Sequence, residues 1–363
     1  MKDTLSPSPL DKFLVGSSFH ESHHVAFIRS FIGPSRALKH ATVACAAVLL
    51  GEGNDEYAKA SAEIGHKRAA LAVSSLRSFK ILNEQDLATA LFLGVAMVTF
   101  AMHVADGQPL LISHHTLNLV RPQIQNVYAM ESTIVDYWMC LVSTELFDCL
   151  LRSEIPSIRI DPSRRHRVVD RYLGVSSSIF THFYDICSAA QSLKQASIAT
   201  VVKIASHLDT IRTAVDQWQP SPPLGFLDQY TQTEVVSMLS QAKVFRLAAL
   251  LIIHRLRYPF GEQDREASVL SWAIISEFDT ALQFTRRSVP CTMLAYLAAC
   301  FEIMDPHAQN IALEKSQDII TFSKVSRLKF QTTLKSVWAV RDSRRHFHWF
   351  EISQYVSLGT ACK

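Results

Sequence analysis

Apolar residues recur every three or four positions over long windows, and strict two-residue alternation is scarce. Only 11 glycines interrupt a chain of 363 residues. Helical spacing gives each segment one apolar stripe, which has to be buried against other helices. The expected fold class is therefore all-α, with one large helical domain packed around an apolar interior. The spacing predicts helices near 23–32, 36–50, 55–79, 84–105, 110–122, 127–152, 164–171, 176–191, 195–217, 231–257, 265–285, 291–303, 307–322 and 325–340. Residues 1–22 read as a flexible N-terminal segment, 23–340 as the helical body and 341–363 as a C-terminal tail.

Local chemistry supports several of these boundaries. Gly51-Glu52-Gly53-Asn54-Asp55 offers permissive backbone followed by a capping Asp. Asn83 is placed to cap the helix beginning at Glu84, and Asp106-Gly107-Gln108-Pro109 to end it. Asp161-Pro162-Ser163 opens the next predicted helix with Pro in its first turn. Pro220-Ser221-Pro222-Pro223 is the strongest rigid interruption, because Pro lacks the amide donor and disfavours helix before it.

Composition narrows the function classes. Hydrophobic residues are 48% and charged residues 19%, which allows a sizeable core. A net charge of +3 is too small to predict direct nucleic-acid binding by electrostatics. The basic clusters Arg164-Arg165-His166-Arg167 and Arg344-Arg345-His346 are short and read as solvated helix ends. Seven cysteines are scattered along apolar stretches with no C-x2-C pair, the pattern of reduced, buried thiols in an intracellular protein. The N-terminus has no apolar core of a secretory signal, and the uncharged run from Leu87 to Met102 is shorter than a bilayer span of about 20 residues. No membrane span is expected.

Polar groups within apolar helices are the chemical leads, since burying them costs free energy unless they are paired. His103 and Asp106 lie one turn apart and would form a dyad, with Asp orienting a His acid or base. Glu145 and Asp148 share one helix at i, i+3, where a raised pKa would make one of them an acid. His182 and Tyr184 would hydrogen-bond a carbonyl in a cavity. These six are the candidate catalytic residues. Glu21 with His24 and Glu63 with His66 have the Glu-x-x-His spacing of di-metal bundles, but pairs at that spacing arise by chance among 15 histidines. No metal and no cofactor is expected. There is no Gly-rich phosphate loop, nucleophile elbow or Cys/His nucleophile signature.

Several segments resemble, in order, the helical regulatory body of fungal Zn2Cys6 transcription factors. Ser35-Arg36-Ala37-Leu38-Lys39-His40-Ala41-Thr42-Val43-Ala44-Cys45-Ala46-Ala47 is similar to its first core helix, and Tyr57 to Leu76 to the helix with a Tyr and Ala-Leu pattern. Val169-Asp170-Arg171-Tyr172-Leu173-Gly174-Val175-Ser176 resembles its Leu-Gly-Leu-Ser turn. Val244 to Ile253 is similar to its Arg-x-Ala-x-Leu-Leu helix, and Val337-Trp338 to the end of its last helix. The resemblance implies an all-α body that senses small molecules or partners and regulates an attached DNA reader. The zinc module of that reader, six thiolates on two zinc ions, has no counterpart among these cysteines.

Two functions follow as expectations. The first is a stand-alone body that binds an apolar terpenoid or polyketide intermediate of secondary metabolism and promotes a cofactor-free cyclisation of Diels–Alder type, by holding a reactive conformer in a shaped cavity. The alternative is a transcriptional regulator or co-regulator of a biosynthetic gene cluster that acts through a DNA-binding partner. The first would be cytoplasmic and the second nuclear. The expected partners are an apolar small molecule and a second copy or another protein.

Overall fold

The computed structural model describes residues 9–51, 55–161, 169–344 and 346–355. Among them it contains sixteen α-helices and no strand. In chain order these are α1 (His20–Ile32), α2 (Arg36–Gly51), α3 (Asp55–Arg77), α4 (Glu84–Met102), α5 (Pro109–Val120), α6 (Ile124–Val127), α7 (Ser132–Arg152), α8 (Phe180–Lys194), α9 (Ile198–Gln217), α10 (Phe226–Gln229), α11 (Gln232–Arg257), α12 (Asp264–Thr285), α13 (Met293–Cys300), α14 (Pro306–Ile319), α15 (Lys324–Ser343) and α16 (Ile352–Tyr355). The all-α expectation holds.

The helix starts carry the caps their sequences offer. The Asn83 side chain accepts from Asp86 N at 2.9 Å and so satisfies one of α4's free amides. Thr231 and Glu234 form a capping box at α11, while Asp305 and Ser323 cap α14 and α15. The helix predicted over 127–152 is broken at 128–131. The capping role at Asp55, the helix opening at Pro162-Ser163, the cluster Arg164–Arg167 and Arg345 concern side chains or residues outside those described.

Helices α2 and α3 pair and pack against α4, which also meets α5 and α7, and α11 and α12 pair against α13. Gly94 lets α4 approach α5 closely: a Cβ there would lie 2.6 Å from Thr116 Cγ2. One apolar core runs through α4, α5, α7, α8, α11, α12, α13 and α15. A smaller core fills the space among α2, α3 and α4. The helices α4 and α11 are long and apolar enough to cross a bilayer by length and composition, but 61% and 67% of their apolar windows are buried inside the protein.

Two buried arginines are paired with carboxylates. Arg255, fully buried on α11, donates to both carboxylate oxygens of Glu302 at 2.7 and 2.6 Å, to Asp264, and to the carbonyls of Pro259 and Glu262. Its guanidinium also lies 4.8 Å from the centre of the Phe260 ring. Arg171 bonds Asp136 at 2.8 Å on buried faces of the 169–176 turn and α7.

The described segments 9–19 and 346–355 both join the core. Leu14 and Val15 are buried, and Val15 N donates to Arg171 O at 2.8 Å. The Glu234 carboxylate receives Ser18 N at 2.7 Å and Ser18 Oγ at 2.9 Å, so the 9–19 segment is strapped to α11. Trp349 is fully buried and donates to Leu150 O at 2.8 Å. The packed region thus extends into the segments read as leader and tail. Their apolar residues are too few and too irregularly spaced to register as helix periodicity.

Candidate functional site

A cavity of about 300 Å³ lies among α1, α4, α7, α13 and α15. Its walls are mainly apolar and aromatic, as at Phe92, Met102, Phe147, Leu294 and Phe330. That size and lining match a small-molecule site. Leu10 and Phe13 of the N-terminal strap lie across one side, and Phe13 packs on Phe322 with ring centres 5.3 Å apart. The strap is held by Asp11, whose carboxylate meets His24 Nε2 at 2.9 Å and His20 Nδ1 at 3.5 Å. Exposed Lys12 and Lys329 also line the cavity, and each donates to loop carbonyls.

Among the polar side chains of the wall are two tyrosines and a histidine. Tyr137 on α7 is 2% exposed, Tyr172 in the 169–176 turn 3%, and His23 on α1 8%. The two tyrosine hydroxyls and His23 Nδ1 are buried and have no hydrogen-bond partner among the described residues. The His23 ring meets Tyr172 edge-on at 6.1 Å, and the Arg171 guanidinium lies 5.8 Å from the centre of the Tyr137 ring. Burial pushes the Tyr137 phenol up to about 12 and raises the Tyr172 phenol well above its usual value. Burial, reinforced by Arg171, lowers His23 to about 4. All three groups are uncharged at neutral pH. Three cysteines, Cys45, Cys140 and Cys291, also line the cavity, and burial raises all three thiols, so they stay protonated.

The six residues singled out in the sequence are dispersed. Asp148 lines the cavity. Burial raises its carboxyl pKa, against the opposing pull of Arg152, whose Nε lies 3.4 Å away. Glu145, one turn earlier, points elsewhere. It accepts Ser157 Oγ at 2.6 Å and Ser157 N at 2.9 Å, and its Oε1 lies 2.7 Å from His114 Nδ1. Ser157 and Glu145 meet the same ring nitrogen of His114, so that ring cannot relay a proton between them. The Glu145 cluster instead clamps the 153–161 loop to α5.

His103 places Nδ1 2.7 Å from Thr99 O and Nε2 2.9 Å from Phe322 O. It joins the end of α4 to the loop carrying Phe322, while Asp106 is exposed. His182 is half-buried on α8, and burial lowers its pKa. Tyr184 stacks beneath Arg159, whose centre is 6.0 Å from the ring and which forks Asp185 at 3.0 and 3.1 Å. Neither residue borders the cavity. The structure brings one of the six to this cavity and adds His23, Tyr137 and Tyr172. No spacing rule joins these three, because they come from elements far apart in the chain.

Residues 35–359 match the fungal specific transcription factor domain. No curated protein and no solved structure matches the chain. The family match covers most of the chain and spans α2 to α16, which supply most of the cavity wall, while α1 lies before it. This protein therefore belongs to the fungal specific transcription factor domain family.

Proposed function

We propose that this chain is the regulatory body of a nuclear transcriptional regulator or co-regulator of a biosynthetic gene cluster, and that an apolar small molecule in the cavity is its effector. The observation that carries this reading is the family match over residues 35–359, a stretch that holds most of the cavity wall. Direct DNA contact is assigned to a partner outside these 363 residues, because the net charge is only +3 and the seven cysteines contain no zinc-cluster spacing. Effector binding would act through the strap, since Leu10 and Phe13 touch the cavity while Ser18 is tied to Glu234.

A second reading rests on Asp148, whose raised pKa within an apolar cavity suits an acid that assists a cofactor-free cyclisation. Deleting the gene and profiling metabolites and cluster transcripts in the same cultures separates the two. The regulator reading expects transcripts of a whole pathway to collapse. Accumulation of one uncyclised intermediate with transcripts unchanged would overturn it in favour of the cyclase.

A further inference from the structure

A buried hydroxyl without a partner loses its hydration and gains nothing in return, a cost of about 1–3 kcal/mol. Native proteins rarely keep such groups without a reason. Here three such atoms belong to side chains of a single cavity wall: Tyr137 Oη, Tyr172 Oη and His23 Nδ1. The tyrosines are also close enough that ionising Tyr137 would raise Tyr172. No described residue bonds these atoms, and the cavity is the space that their side chains border.

The chemistry of the wall selects the ligand. Near the polar cluster the permanent charges cancel locally. Arg171 is neutralised by Asp136, and the neighbouring Asp170 has its carboxyl pushed well above the usual range by burial. An anionic head would therefore lack a free cation there, and a cationic one a free carboxylate. Phenol hydroxyls donate to a carbonyl, and a neutral imidazole nitrogen completes the set by donating or accepting. The remaining wall is apolar and aromatic.

Resting on the effector reading above, we propose that Tyr137, Tyr172 and His23 form a head-group site for an uncharged, largely apolar molecule that ends in a carbonyl. The ketone oxygen accepts from the tyrosine hydroxyls, and the hydrocarbon body lies along Phe92, Phe147 and Leu294. The site discriminates against the same skeleton without its oxygen, because that skeleton leaves the hydroxyls unpaired.

The test uses the full chain and two fluorescent probes, the neutral naphthalene ketone prodan and its analogue with the ketone reduced to methylene. Prodan should bind at least about tenfold tighter than the methylene analogue, the scale of one to two hydrogen bonds. The Tyr137→Phe/Tyr172→Phe double variant should lose about that tenfold for prodan while its affinity for the methylene analogue holds or improves. Bound prodan should emit further to the red in the wild type than in the double variant, as a hydrogen-bonded ketone does. Met293→Trp, which fills the cavity from its half-exposed side, should weaken both probes. Equal prodan affinity and emission in wild type and double variant, with binding still sensitive to Met293→Trp, would overturn the head-group assignment and leave the effector cavity standing. If the wild type binds neither probe, or Met293→Trp leaves both unaffected, the cavity reading fails and the assignment fails with it.

Discussion

Replacing Tyr137 or Tyr172 by Phe should make the ligand-free protein more stable. Each ring is packed at 2–3% exposure, and each hydroxyl is buried without a partner among the described residues. Phe keeps the ring contacts, including the edge-on meeting of Phe92 with residue 137 at 5.4 Å, and removes only the unpaired oxygen. The oxygen's desolvation cost in the folded state is about 1–3 kcal/mol, whereas in the unfolded chain it is hydrated. An unfolding entropy of about 2.1 cal/mol/K per residue over 363 residues is about 0.8 kcal/mol/K. Each substitution should therefore raise Tm by about 1–4 °C. The double variant should fall short of the sum, since the two sites are neighbours. Scanning calorimetry with matched urea titrations reads the change, and m should stay constant. A drop of more than about 1 kcal/mol in either single variant would refute the reasoning, because it would mean that the hydroxyl is already bonded in the ligand-free protein. Together with lost ketone binding, a gain in stability would be the signature of groups kept for recognition at the expense of the fold.

Two further predictions concern the surrounding frame. The His23 imidazole is held at about 4 in the folded protein against 6.5 unfolded. The unfolded chain then binds the extra proton between these values, so His23's contribution is fully present above pH 6.5 and is lost as pH falls towards 4, about 3 kcal/mol in all. His23→Gln should flatten the urea-unfolding free energy over that window relative to wild type, and an unchanged pH slope would sink the assignment of a buried neutral imidazole. Arg255→Met leaves Glu302, itself buried, without its two-point partner. It should cost about 3–5 kcal/mol, with the Arg255→Met/Glu302→Met pair recovering part of the loss. A single-variant loss below about 1 kcal/mol would contradict the buried network.

How much of this was legible without coordinates differs between fold and site. Periodicity located most long helices because an amphipathic stripe is a local property, and Asn83 caps α4 where the local chemistry placed it. The segments quoted for the family resemblance fall largely within the family match, for the same reason that core positions repeat with the helix. The strap at 9–19 and the docking of Trp349 were not legible, because their burial depends on Glu234 and Leu150 far along the chain.

The sequence by itself determined the class of fold and the order of its helices, since these follow from spacing and composition, while the family was legible only through the resemblance of particular segments. It also drew attention to Asp148 as a carboxylate on an apolar helix, which does border the cavity. Only the tertiary structure decided that Glu145, one turn away, faces His114 and Ser157 instead, and that His103 ties two carbonyls together. Only it brought His23, Tyr137 and Tyr172 into one wall and left their polar atoms unpaired. Helical periodicity tells which side of a helix is buried but not what it is buried against. A site assembled from α1, α7 and a turn near residue 172 exists only once those elements are packed.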